Sequence, residues 1–225
     1  MDFLCDDKLI SCDTGNVIVA GWTGRDPAAI QHHIDELAAL GVAPPSTVPL
    51  YYRVSAGLLT REQEIQVVGG GSSGEVEPLI VIDGGEIYLG LASDHTDRDL
   101  EVFSVALSKQ ACAKPVARDL WRLSEVADRL DGLELRSWIR EEGAPDWTLY
   151  QEGTLASIRP LAQLIEGAGL EVMAASGQAA AMLCGTLGAI GGVRPAEAFR
   201  MELTDPVLGR SIAHSYEIRS LPVVS

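Results

Sequence analysis

The sequence predicts a mixed α/β protein in which short strands outnumber helices. Two stretches carry a hairpin pattern: residues 79–82 return as 87–91 after a glycine turn, and 133–139 alternate like a strand with 147–151 as partner. One segment, residues 27–40, has both the start and the stop signal of a helix. With 225 residues, the chain suits a single domain, 1–225, that buries a substantial core.

The remaining elements follow from local signals along the chain. Residues 17–20 are apolar and β-branched, which predicts a strand, and a glycine turn at 21–24 follows it. Asp26 and Pro27 suit the N-cap and first position of a helix, and Gly41 suits its end. Amphipathic spacing predicts a helix at 119–130, and a short helix is expected at 160–166.

Charge and composition exclude several function classes. The net charge of -15 and the pI near 4.6 argue against a nucleic-acid partner, which requires a basic surface to neutralise phosphates. The first residues lack a signal-peptide pattern, and no apolar run reaches the roughly 18 to 20 residues of a membrane span. We therefore expect no membrane partner and a cytoplasmic protein. The cysteines show no zinc-like pairing and are expected to be free thiols: Cys5, Cys12, Cys112 and Cys184.

Three carboxylates are predicted to meet at the open end of the first hairpin. Glu75 and Glu77 are two residues apart and share one face of a strand, and the returning strand brings Asp94 back towards them. Like charges so close are costly unless a cation neutralises them, and an all-oxygen set suits Mg²⁺, Mn²⁺ or Ca²⁺. The alternative is a solvated strand end with acidic side chains, which spacing alone does not exclude.

A histidine and a glutamate lie one turn apart on the predicted helix 27–40. His33 and Glu36 share one edge of its apolar stripe, whereas His32 lies towards the opposite side. A carboxylate that holds one imidazole nitrogen leaves the other free to accept a proton from water. By itself the pair is better explained as part of a solvated helix face whose histidines have no catalytic role.

These segments together resemble the fumarylacetoacetate hydrolase (FAH) superfamily. The runs GEVEPLIVI and SDHTDRDLE are similar to that family's Glu-x-Glu strand and its Asn-Asp-x-x-x-Arg-Asp-x-Gln segment. The resemblance implies a divalent metal on Glu75, Glu77 and Asp94, and it places Arg98 at the family's arginine, where it would bind substrate. Glu101 stands at the position of the family's glutamine. The chain also resembles a narrower group of bacterial proteins of unknown function, DUF2848.

Other blocks of the resemblance imply catalytic roles. His-x-x-Glu followed by glycine and prolines looks like the family's N-terminal lid, which implies that His33 and Glu36 activate water, with His32 as the second choice. The family's lysine segment points to Lys109 as the lysine that stabilises a developing enolate, with Lys114 as rival. Arg53 follows an aromatic pair and either holds a substrate carboxylate or is a surface cation.

The last block lies late in the chain. The segment Met182–Gly191 resembles the family's Thr-Gly-Thr-Pro-x-Gly-Val-Gly loop, with Cys184 and Leu187 at changed positions. Glycines in such a loop let backbone N–H groups approach a bound oxyanion, which implies substrate contacts from Gly185 and from the Thr186 hydroxyl. The family's fold is a β-rich roll with short peripheral helices. Here about residues 1–60 would supply the lid and about 61–225 the metal-binding roll.

The function implied is a divalent-metal-dependent hydrolase. It would cleave a C–C bond of a small anionic 2-oxo or β-dicarbonyl acid, such as an acylpyruvate, through an enolate held on the metal. The family also contains decarboxylases, isomerases and sugar-acid dehydratases. Its members usually pair as homodimers, which implies a homodimer here. A non-catalytic domain that binds a small metabolite is the alternative from another class. Zinc hydrolysis by His32, His95 or His214 is disfavoured because no two histidines have a ligand-like spacing on one helix.

Overall fold

The structure is a computed structural model that describes residues 1–39 and 41–224, without the side chains of His33, Glu36 and Leu37. Most of the described elements are strands, arranged in two main sheets and three short strand pairs. The strands are β1 Asp2–Cys5, β2 Lys8–Ser11, β3 Asn16–Gly21, β4 Leu50–Val54, β5 Leu59–Thr60, β6 Glu64–Val68, β7 Ser72–Ser73, β8 Val76–Asp83, β9 Glu86–Ser93, β10 Thr96–Asp97, β11 Lys114–Pro115, β12 Trp121–Arg122, β13 Glu134–Arg140, β14 Thr148–Thr154, β15 Ala180–Leu183, β16 Ala198–Asp205 and β17 Arg210–Leu221.

The helices of the described residues are short and lie between the strands. They are α1 Pro27–Ala39, α2 Arg98–Glu101, α3 Val105–Ala111, α4 Leu123–Val126, α5 Leu161–Gly167 and α6 Leu170–Ala175. The mixed fold class predicted from the sequence is therefore confirmed. None of these helices has the length and hydrophobicity that a membrane crossing requires.

The first sheet has six strands in the order β12-β9-β8-β15-β3-β4, in which β8 and β9 form a hairpin. The two strands pair antiparallel from Val76 opposite Ser93 to Asp83 opposite Glu86, as predicted. The turn residues Gly84 and Gly85 have φ values of 58° and 83°, a backbone conformation that favours glycine in tight hairpins. This turn fixes the register of every pair up to the open end of the hairpin.

The second sheet has five strands in the order β14-β13-β16-β17-β6 and packs on one face of the first. The main core lies between the sheets, where Ile80 and Ile82 of β8 meet Phe199 and Met201 of β16. A second core covers the opposite face of the six-stranded sheet. Because successive side chains of a strand point to opposite faces, the apolar run of β8 supplies both cores and is buried throughout.

The helix predicted at residues 119–130 is wrong. The chain instead forms β12, which pairs with β9, and only one helical turn, α4, follows before a 3-10 turn at Leu130–Gly132. Leu120 is buried against Gly90, where a side chain would collide with it, and its N–H donates to the carbonyl of Leu4 at 2.7 Å. Pairing with the free edge of β9 satisfies backbone groups that a helix would have satisfied internally.

Candidate metal centre

Three carboxylates meet at the open end of the β8–β9 hairpin. Oxygens of Glu75, Glu77 and Asp94 all lie within 4.8 Å of one another. The hairpin register causes this, because the N–H of Asp94 donates to the carbonyl of Glu75 at 3.0 Å and Glu77 lies two residues further along the same face. Glu77 and Asp94 are buried, whereas the side chain of Glu75 is 18% exposed. Glu75 therefore faces the approach to the cluster.

Glu77 is held in an environment that requires positive charge. Burial and the nearby charge of Asp94 raise the pKa of Glu77 well above its usual range. Its Oε2 accepts a hydrogen bond of 2.7 Å from the backbone N–H of Gly185, which opposes that rise. An added cation would favour the ionised form of this carboxyl further.

Asp94 contacts two lysines. Lys109 Nζ donates to its Oδ2, and Lys114 Nζ lies 2.9 Å from its Oδ1 and donates to the carbonyl of His95 at 2.5 Å. Burial raises the pKa of Asp94, but the two ammonium groups outweigh burial and hold that pKa below its usual range. No described residue gives Oδ1 a well-directed hydrogen bond, so Lys114 contacts this oxygen as an ion pair. Sequence reasoning kept Lys114 only as the rival of Lys109, whereas the structure brings both to the cluster.

Arg98 forms an ion pair with Glu75. Its Nη2 lies 3.0 Å from Glu75 Oε1, its Nη1 donates to Glu101 at 2.9 Å, and its Nε donates to Ser73 at 2.7 Å. Burial lowers the pKa of Arg98, but the two carboxylates outweigh burial and raise it. The predicted role in substrate binding is untested; the contacts seen show that Arg98 orients Glu75.

The loop after β15 is fastened to the start of β8. Gly185 has a φ of 99°, and Thr186 donates its hydroxyl hydrogen to the carbonyl of Val76 at 2.8 Å. The Thr186 oxygen also accepts from Gln151 Nε2 at 2.8 Å, while Gln151 Oε1 accepts from the N–H of Val76 at 3.0 Å. Both groups predicted to contact a substrate oxyanion, the Gly185 N–H and the Thr186 hydroxyl, therefore bind protein atoms here.

Tyr52, which with Tyr51 forms the aromatic pair before Arg53, lies beside Lys109, together with a tryptophan that the sequence did not single out. The Tyr52 ring centroid is 5.8 Å from Lys109 Nζ, and Trp22 Nε1 donates to the Tyr52 hydroxyl at 3.1 Å. Trp22 has a φ of 62°, a left-handed conformation that costs about 1–2 kcal/mol outside glycine. Its neighbour Thr23 packs against Gly185, so the segment that leads into α1 passes along the site.

Other predicted residues are not brought to the carboxylates. Arg53 is exposed, and as the neighbour of Tyr52 on β4 it points to the opposite side of that strand. The side chains of His33 and Glu36 lie outside the described part of the structure, so their roles stay predictions. The buried His95 contacts the hydroxyls of Tyr216 and Ser72, and burial lowers its pKa to about 3.

The carboxylate cluster fits a hard divalent cation. Its donors are all oxygens, which Mg²⁺, Mn²⁺ and Ca²⁺ prefer, and Asp94 Oδ1 has acceptor capacity that the described residues leave unused. It is also the one group of three or more potential ligands found among those residues, and no histidine belongs to it. The four cysteines are buried free thiols and offer no alternative metal site.

Comparison with known proteins identifies a family and a fold. The sequence profile of a family described as "Protein of unknown function (DUF2848)" matches residues 20–216. No curated protein sequence matches the chain.

Three similar solved structures identify the fold. A protein from Oleispira antarctica, provisionally named a fumarylacetoacetate isomerase/hydrolase, has a TM-score of 0.61 and 15% identity over 98% of this chain and 100% of that chain. A 2-keto-3-deoxy-D-arabinonate dehydratase complexed with magnesium and 2,5-dioxopentanoate has a TM-score of 0.61 and 14% identity, covering 94% and 75%. A fumarylacetoacetate hydrolase from Exiguobacterium antarcticum has a TM-score of 0.53 and 14% identity, covering 92% and 75%. The chain therefore has the fold of these structures.

Proposed function

The chain belongs to the DUF2848 protein family, and we propose that it is a divalent-metal-dependent enzyme that acts on a small 2-oxo or β-dicarbonyl acid. The observation that carries the proposal is the cluster of Glu75, Glu77 and Asp94, whose oxygens lie within 4.8 Å of one another. The similar dehydratase complexed with magnesium and 2,5-dioxopentanoate supports both the metal and the substrate class.

The charges of the site favour an anionic substrate once a cation is bound. The site combines four carboxylates with three basic side chains, and three of those carboxylates form ion pairs with them: the carboxylates are Glu75, Glu77, Asp94 and Glu101, and the basic residues are Arg98, Lys109 and Lys114. A divalent cation changes the sign of this sum from negative to positive, so the site would attract a carboxylate although the chain as a whole has a charge of -15. When bound, the cation supplies a Lewis acid that withdraws electrons from substrate oxygens.

The residues of the chain have distinct roles in the proposed hydrolysis. His33, oriented by Glu36, takes a proton from water as the water oxygen bonds to the substrate carbonyl carbon. The C–C bond then breaks, and its electron pair becomes the enolate of the 2-oxo acid fragment. Lys109 stabilises the negative charge that develops there. The proton held by His33 is returned to the enolate carbon, which gives a carboxylic acid and a 2-oxo acid.

Dehydration of a sugar acid is the second candidate, because the similar structures include a dehydratase. It uses the same carboxylates but no attacking water, so it has no need of His33 as a water-activating base. Turnover of a panel of acylpyruvates and 2-oxo sugar acids separates the two reactions. Under the hydrolytic proposal, His33→Ala abolishes acylpyruvate cleavage and leaves metal binding intact; undiminished cleavage by this variant would refute the role of His33.

The first experiment is calorimetric titration of Mg²⁺ and Mn²⁺ with and without oxalate, a mimic of the 2-oxo acid enolate. We expect binding that oxalate strengthens, and we expect Glu75→Gln to weaken it at least tenfold. Glu86→Gln is the matched control, because Glu86 lies at the other end of the same hairpin and makes only an exposed ion pair of 3.6 Å with Arg122. Absence of binding, or equal binding by both variants, would refute the metal-dependent function.

A further inference from the structure

Lysine is rare in this chain and is concentrated on one carboxylate. Lys8, Lys109 and Lys114 are the three lysines of the sequence, against fourteen arginines. Lys8 lies on an exposed strand, whereas Lys109 and Lys114 both contact Asp94. Lysine and arginine differ in that the ammonium is a compact charge on a flexible stem, while the guanidinium is a rigid planar fork. Because two lysines contact the same buried carboxylate, we compare the surroundings of each.

The two lysines are held very differently. Lys114 has no solvent exposure, contacts both Asp94 Oδ1 and the carbonyl of His95, and belongs to β11, which pairs with β5. Lys109 belongs to the last turn of the short helix α3, has a side chain that is 8% exposed, and contacts Asp94 through Oδ2. Beside it lies the Tyr52 ring rather than a second acceptor. Lys114 is therefore fixed from two sides, and Lys109 from one.

Lys109 also lies in the field of the whole carboxylate cluster. Burial lowers the pKa of Lys109, but attraction by Asp94, Glu75 and Glu77 outweighs burial and raises it. Its ammonium thus supplies the positive charge that the cluster requires in the absence of another cation. A divalent cation placed among the same carboxylates would repel this ammonium and would compete with it for the negative charge of Asp94.

We propose that Lys109 and the divalent cation replace each other on Asp94, whereas Lys114 stays on Asp94 and positions it as a ligand. Cation binding releases the Lys109 ammonium from the carboxylate, which makes it available to the negative charge that develops on a substrate. Lys114 holds Asp94 in place in both states through its contact with Oδ1. This inference rests on the proposed metal-dependent function and assigns different roles to two lysines with the same partner.

Metal affinity of matched lysine variants tests the proposal. Met has nearly the length of lysine and no charge, so Lys109→Met removes the competitor while Lys114 still pairs with Asp94. We expect Lys109→Met to bind Mn²⁺ at least tenfold more tightly than the natural chain in calorimetry. We expect Lys114→Met to bind it at least tenfold more weakly, and Lys8→Met to be unchanged. Unchanged or weaker binding by Lys109→Met would overturn the proposal.

Amine labelling provides a second readout that does not depend on a substitution. A brief pulse of acetic anhydride, followed by peptide mass spectrometry, reports the accessibility of each of the three lysines. With Mg²⁺ present, we expect acetylation of Lys109 to increase while Lys114 stays protected and Lys8 does not change. Equal protection of Lys109 with and without the cation would refute the release of its ammonium. Because the labelling uses the natural chain, this test holds even if Lys114→Met does not fold.

Failure of the metal-dependent function and failure of the lysine exchange give different binding results. If the natural chain binds no cation and Glu75→Gln behaves identically, the proposed function fails and the lysine exchange fails with it. If the natural chain binds Mn²⁺ through Glu75 but Lys109→Met has the same affinity, the metal site stands and the exchange alone is refuted.

Discussion

Acid sensitivity of the fold is expected to arise in part from His95. Its two ring nitrogens lie 3.0 Å from the Tyr216 hydroxyl and 2.9 Å from the Ser72 hydroxyl, so the neutral ring donates one hydrogen bond and accepts the other. Burial, with the charges of Lys114 and Arg98, lowers its pKa to about 3, although Asp94 opposes the shift. The folded chain therefore keeps His95 neutral at pH values where the unfolded chain protonates it.

The sign and size of the effect follow from this difference. The pKa of His95 is about 6.5 in the unfolded chain and about 3 in the folded one. Between these values the unfolded state binds more protons, so the free energy of unfolding falls as the pH falls, by about 1.4 kcal/mol per pH unit. Acidification from pH 7 to pH 5 should thus remove about 2 kcal/mol of stability through this residue.

Urea unfolding of the natural chain and His95→Gln at both pH values isolates the contribution. Glutamine keeps a donor and an acceptor near the two hydroxyls but does not titrate, and a chelator in every sample removes metal effects. We expect the stability difference between the two proteins to change by about 2 kcal/mol between pH 7 and pH 5, in favour of the variant at pH 5. A difference that is the same at both pH values would refute the assignment.

Two further predictions concern the loop that carries Gly185. Gln151→Leu leaves buried partners on β8 and on this loop unpaired, so urea unfolding should show a loss of about 2 kcal/mol or more. Ser137→Ala, which removes only one bond to that amide, should cost less, and equal losses would contradict the reasoning. Gly185→Ala should lower the melting temperature and metal affinity, because its Cβ would lie 1.6 Å from Thr23 Oγ1 in a left-handed backbone. Gly188→Ala, with open space around it, should change neither.

The carboxylate cluster could be predicted from the sequence because the position of the turn fixes which residues of a hairpin lie opposite each other. A two-residue turn at Gly84 and Gly85 pairs residues whose numbers have a constant sum, so Asp94 falls opposite Glu75 without any knowledge of the rest of the fold. The two-residue period of a strand then places Glu77 on the same face as Glu75. Both steps use only local rules, and both hold in the structure.

The contacts around the cluster could not be predicted from the sequence. They depend on which face of a strand each side chain points to and on packing between distant segments. The sequence marked Tyr51, Tyr52 and Arg53 together, but only the pairing of Tyr52 with Val19 decides which of them faces the carboxylates. Tyr51 packs instead against Gly167, and Arg53 reaches solvent. Likewise, residues 119–130 have helical spacing, but part of the segment pairs with the free edge of β9, which the segment's own sequence does not indicate.

The ion pairs of the site offset part of the cost of burying these carboxylates. Glu77 and Asp94 are buried, so their carboxylates lose hydration and repel each other. Nearby basic side chains reduce this cost. Lys114 offsets the cost permanently from β11, and Arg98 does so from the exposed side of Glu75. The remaining positive charge comes from Lys109, on the short and partly accessible helix α3. Lys109 has one acceptor, whereas Lys114 has two partners and Arg98 has three, so Lys109 is the basic group that a cation displaces most easily.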